Sequence, residues 1–152
     1  MSLNALLNRE ADLVDEFVAC LVHEREVLSQ DKIQNLQQVT DRKNQLISDL
    51  TRVATERAQI LRQDGFPDSA EGLKAWLTVN ASVQTQAIYE RLKSGSAEAK
   101  RLNELNAHQV TIRLQATQQA LSILLPPEQS PSLYNPHGQS SLKAGFKLID
   151  SA

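Results

Sequence analysis

The sequence predicts an all-α fold, an elongated antiparallel bundle or coiled coil of three long helices followed by a C-terminal tail. Three observations predict it. Leu occurs 22 times and Gln 15 times in 152 residues, whereas aromatics make up 4%. These residues tolerate helix well, and the aromatic residues that favour strands are scarce. Apolar residues recur every seven positions, the spacing that keeps one seam of a helix facing a partner. Helix breakers are confined to a few points. Residues 1–64 contain neither Gly nor Pro, whereas four of the five prolines fall within the last 27 residues.

In the first helix Leu7, Val14, Leu21 and Leu28 form one line, and Leu6, Leu13, Cys20 and Val27 form the next. Leu3 and Phe17 share a flanking line with Glu10 and Glu24. The second helix repeats the pattern with Ile33, Thr40, Ile47, Ala54 and Leu61, and with Val39, Leu46, Val53 and Ile60. Its third line holds Leu36 and Leu50 with Lys43 and Arg57, long side chains expected to lay their stems on apolar surface and reach water with their charges. The link around Gln30 to Gln34 is short, which predicts an antiparallel hairpin. Asp31 or Asn35 is the expected cap of the second helix, each with a Gln three residues on.

Gly65, Phe66 and Pro67 end the second helix, and Asp68 with Glu71 gives the next cap signal. A short helix follows through Leu73, Trp76 and Leu77, and then a longer stretch runs to Leu125. Asn80-Ala81-Ser82 and Ser94-Gly95-Ser96 are its weak points, and neither has to break it. If continuous from Ser82 to Leu125 it is ~66 Å long, against ~48 Å for the second helix from Lys32 to Gln63. The third helix is therefore expected to outrun the hairpin. Residues 1–125 form the predicted bundle domain and residues 126–152 the tail.

The protruding end carries two apolar stripes. At 100° per residue Leu102, Leu105, Ile112, Ala116 and Ile123 gather on one side, and Val110, Leu114, Leu121 and Leu125 gather roughly 150° away. One stripe suffices to pack on the bundle. Either the second is also core, because the helix sits between two others, or it binds a partner. Asn103 and Asn106 sit mid-helix, where asparagine is unfavourable. They either fix register across the bundle, lie in solvent, or meet a partner.

Several function classes are excluded on composition and spacing. The net charge of −2 and pI near 5.9 lack the basic surplus of a nucleic-acid binder. No apolar run reaches the ~18 residues of a membrane span. The N-terminus has no basic patch followed by an apolar stretch, so no signal peptide is expected and the cytoplasm is the expected location. The single Cys20 allows no internal disulfide and no cysteine cluster for metal. Cys20 and His23 lie a turn apart, but Cys20 belongs to an apolar line and reads as a packed core thiol. His23-Glu24 opens a zinc-protease pattern that fails at Val27. Neither His23 nor His108 has a Glu three residues before it, so the di-iron bundle pattern also fails. The remaining acids read as a solvated surface. No catalytic residue, metal or cofactor is expected.

The tail carries Pro126, Pro127, Pro131 and Pro136 with Gly138 and Gly145, and four charges in all. It reads as an extended, mobile segment. Tyr134 has no aromatic neighbour there, and tyrosine is a common interface anchor. Leu142, Phe146 and Ile149 recur at helical spacing. They suit a short helix that docks in a groove, packs on its own bundle, or covers the surplus stripe until a client displaces it.

The chain resembles the flagellar export chaperones of the FlgN type. The resemblance rests on the Glu-rich end of the first helix (Glu24, Glu26, Leu28), on Lys43 before Leu46-Ile47, on Leu102-Asn103-x-x-Asn106, and most specifically on Leu133-Tyr134-Asn135-Pro136-His137-Gly138-Gln139-Ser140-Ser141. It implies a small cytoplasmic chaperone, monomer or weak dimer. Such a chaperone binds the C-terminal helices of hook-associated junction proteins, prevents premature polymerisation and brings them to the export gate. The implied client contacts fall on the helix from Leu102 to Leu125, and Tyr134 matches the family's tyrosine for the gate's cytoplasmic domain. The competing reading is a structural coiled-coil adaptor, or oligomerisation module, that releases no client.

Overall fold

The computed structural model describes residues 1–30 and 32–124, all helices and short links. The expected Asp31 cap, Leu125, Tyr134, Leu142, Phe146, Ile149 and the 126–152 tail lie outside the described residues. Four helices follow in order, α1 (Leu3–Ser29), α2 (Ile33–Gln63), α3 (Ala70–Asn80) and α4 (Val83–Leu124).

Local chemistry sets the helix ends. The Ser2 hydroxyl accepts the Ala5 N–H at 3.3 Å and starts α1. α2 starts at Ile33 with no side-chain cap. Asn35 is not the cap, because its own N–H already bonds the Lys32 carbonyl at 3.0 Å inside the first turn. Gly65 ends α2 with φ at +84°, a left-handed conformation that only glycine adopts cheaply. The Phe66 N–H returns to the Leu61 carbonyl at 2.9 Å, and the Gly65 N–H to Arg62 at 3.1 Å. These two bonds make a Schellman closure, and Phe66 packs on the core beside it.

Ser69, not Asp68, caps α3. Its extended backbone lets the hydroxyl accept the Gly72 N–H at 3.0 Å. Asp68 is drawn instead to Arg62, at 3.4 Å. The Trp76 indole N–H donates to Asp64 at 2.9 Å and ties α3 to the end of α2. Ala81 is extended, so the first weak point is a true break, and the Ser82 hydroxyl restarts the helix by accepting the Thr85 N–H. The second weak point is no break. α4 runs through Gly95, where a Cβ would lie 2.8 Å from the Val14 side chain. Glycine serves there to let α4 approach α1 closely.

α1 is the central helix. α2 runs antiparallel to it, as pairs from Glu10 with Arg57 to Glu24 with Lys43 show. α4 runs parallel to it, from Arg91 beside Asp12 and Asp15 to Asn106 beside Leu21 and Glu24. The core is aliphatic around Phe17, with Leu7, Leu21, Leu46 and Leu92 fully buried. Each such side chain contributes about 1.5–3 kcal/mol on burial.

The flanking lines of the hairpin correct the sequence reading. Arg57 is 1% exposed, so its charge does not reach water. It meets both carboxylate oxygens of Glu10, itself 2% exposed, at 2.6 Å. Glu24 is likewise buried, and Lys43 donates to both its oxygens at 3.2 Å. Acids assigned to a solvated surface are thus interior partners of basic residues on the facing helix. In the same register Phe17 falls opposite Leu50, so apolar and ionic layers alternate along the α1–α2 seam.

Candidate partner-docking surface

α4 is anchored by a face that repeats every seven residues. Thr85, Leu92, Ala99 and Asn106 form its central row, flanked by Tyr89, Ser96 and Leu102, and all are buried. The Ser96 hydroxyl is satisfied by the Leu92 carbonyl at 2.7 Å. This row escaped the sequence reading because two of its four members are polar.

Asn106 closes the row. Its amide donates to the Leu21 carbonyl and to Glu24, each at 2.9 Å. Lys43 reaches the same carboxylate, so one node joins α1, α2 and α4. Asn106 thus bonds across the bundle, whereas Asn103 is half-buried.

Beyond Asn106, α4 has no buried residue among those described. α1 ends at Ser29 and α2 begins at Ile33, itself exposed, so the hairpin runs out while α4 continues. Val110, Leu114 and Leu121 are half-buried. Ile112 is 51% exposed and Ile123 84%, and Leu105 and Leu124 are also exposed. From Leu105 to Leu124 the only Lys, Arg, Asp or Glu is Arg113. Lower on the helix the surface is rich in ion pairs, such as Arg101 with Glu98 at 2.6 Å. The charged coat stops where the bundle stops.

The other candidates carry less. Cys20 is buried, with its thiol 3.8 Å from the Val39 carbonyl. Burial, and then the nearby Glu24 charge, push the thiol pKa up, the opposite of nucleophile activation. His23 turns to Glu26 at 3.8 Å on the exposed surface. A shallow groove of about 370 Å³ lies between these residues and Arg42, with Ala19 and Val39 in its lining and the exposed Glu16, His23, Gln38 and Arg42 around them. Among the described residues no three His, Cys, Asp or Glu side chains are grouped to hold a metal. No described helix is long and apolar enough to cross a membrane.

Comparison with known proteins places this architecture. No curated protein matches the chain. Among solved structures, a Pseudomonas aeruginosa protein described as a flagella synthesis protein FlgN shares the fold. The TM-score is 0.63 and the identity 23%, over 80% of this chain and 94% of that one. The family model for FlgN protein matches residues 1–141, through all four helices and past Tyr134, and the chain therefore belongs to the FlgN family.

Proposed function

We propose that the protein is a cytoplasmic flagellar export chaperone. It holds the C-terminal helical region of hook–filament junction proteins, keeps them from polymerising early and presents them to the cytoplasmic domain of the export gate. The observation that carries this reading is the end of α4, apolar and nearly uncharged where the hairpin no longer covers it. Such a face suits a partner helix. Family membership and the flagellar description of the P. aeruginosa protein support the flagellar setting.

Val110, Leu114, Leu121 and Leu125 are the proposed client contacts, Tyr134 the proposed gate contact, and Leu142, Phe146 and Ile149 an accessory docking helix. No catalytic step is involved. Calorimetric titration of the full chain with a purified junction subunit tests the reading. Saturable binding that disappears when the subunit's C-terminal helix is deleted is expected. Self-association indifferent to any junction subunit would establish the adaptor reading in its place.

A further inference from the structure

We propose that the client docks as two helices, one on each side of the protruding end of α4. The proposal deepens the chaperone reading and rests on it. Val110, Leu114 and Leu121 lie within a window of about 40°, and Leu105, Ile112, Ala116 and Ile123 lie in another, about 150° away. A helix packs through an apolar stripe roughly 100° wide. A single docked helix therefore covers one line and leaves the other in water.

The two lines differ in origin. Val110 and Leu114 carry on the face that buries Leu92, Ala99 and Asn106 against α1. They are half-covered, as is Leu121 further along the helix. A client helix on this side takes up the position that α1 occupies lower down, continuing an interface that already exists. The Ile112 line starts from Leu102, which is buried on the bundle, but from Leu105 onward it continues no interface. Seven and fourteen residues below Leu105 its column holds Glu98 and Arg91, which sit in exposed ion pairs with Arg101 and with Asp12 and Asp15. The column changes from charged to apolar at Leu105, one residue before the last buried contact of α4 at Asn106. The next seven-residue step is Gln119, and the apolar line passes instead to Ala116 and Ile123, an apolar content from which a solvent-facing line gains nothing. A second occupant helix accounts for the change.

The occupant's character follows from the same stretch. With Arg113 its only formal charge, the surface offers no pattern of ion pairs to match. The facing sides of the client helices are therefore apolar and uncharged. Leu105 to Ile123 spans ~27 Å and Val110 to Leu121 ~17 Å, so the client helices need about five and about three turns to cover their lines.

The test uses two variants of the full chain, Ile112→Cys and Leu114→Cys, with Val110→Cys as a second probe of the latter line. Labelling by a thiol reagent is followed by peptide mass spectrometry, which reads Cys20 separately. Rates are compared with and without a saturating junction subunit. Slowing by tenfold or more at both lines is the expected result. Protection of one line only means one helix and overturns the proposal, while the chaperone reading stands. Protection of neither line in a formed complex places the client elsewhere on the chain and overturns the proposal, whereas failure to form any complex overturns the chaperone reading. Protection of both lines before any client is added also overturns the proposal. A second copy is then the occupant if protection rises with chain concentration, and the chain's own C-terminal segment if it does not. As a second measurement, Ile112→Glu is expected to lower client affinity more than tenfold with an unchanged melting curve, and equal affinity would overturn the proposal.

Discussion

Glu10 and Arg57 meet at 2.6 Å with almost no access to water. Burial pushes the Glu10 carboxyl above its ordinary 4.5, against the opposing pull of Arg57. Removing one partner leaves the other stranded. Arg57→Leu is expected to cost about 3–5 kcal/mol of unfolding free energy, and the double variant Glu10→Leu/Arg57→Leu to recover most of it. Urea melts of the two single variants and the double one check this, and a double variant as unstable as Arg57→Leu would refute it. The pH dependence of Arg57→Leu has a definite sign. A carboxyl raised by folding supports the native state best below its unfolded pKa and loses that support as pH rises through the folded value. The deficit should therefore shrink as pH falls towards 4.5. Cys20 makes a simpler case. Buried and with its pKa pushed up, it should react with a thiol reagent at least ~10-fold more slowly than a peptide thiol, measured on the native chain.

Each long helix meets its neighbours through one main face, and the faces differ in how plainly they can be read. The rows of α1 and α2 are aliphatic and stand out at once. The buried face of α4 contains Thr85, Ser96 and Asn106, residues that signal neither core nor seam until the facing backbone is known. Gly95 was ambiguous for a related reason. A glycine inside a helix reads as a weak point, yet here its missing Cβ sets the spacing to Val14. Gly95→Ala gains helix propensity but must displace Val14. It is expected to destabilise by about 1–3 kcal/mol, and Val14→Ala should offset part of that loss in thermal melts. The end of α4 should behave in the opposite way. Leu114→Asp and Leu121→Asp fall where no hairpin packs fully, so helix content and melting should hold while client affinity drops. Collapse of the circular dichroism melt would mark that line as core instead.

At the scale of the whole molecule, the all-α class, the hairpin and the overrun of the last helix were legible, because each follows from period, breaker position and length. The ionic layers were not. Burial of a carboxylate depends on which residue faces it, and one helix read alone does not contain that information. The division of labour between helix and tail is the remaining large-scale claim. Tyr134→Ala is expected to leave the melting curve and client affinity unchanged and to weaken association with the gate domain by roughly 30-fold, the loss of one aromatic anchor. Paired client and gate titrations on that variant decide it, since equal loss in both would put Tyr134 in the client site. One consequence of the alternating seam concerns misfolding. A seven-residue repeat alone tolerates a hairpin that slips by one heptad, because leucine still finds leucine. The charged pairs recur every fourteen residues, at Glu10 and Glu24 on one strand of the hairpin and at Lys43 and Arg57 on the other. A one-heptad slip sets those charges against Phe17 or Leu50 and strands them in the interior. The coarser period thus works as a vernier on the finer one, rejecting the nearest wrong alignment and so setting how much of α4 is left bare.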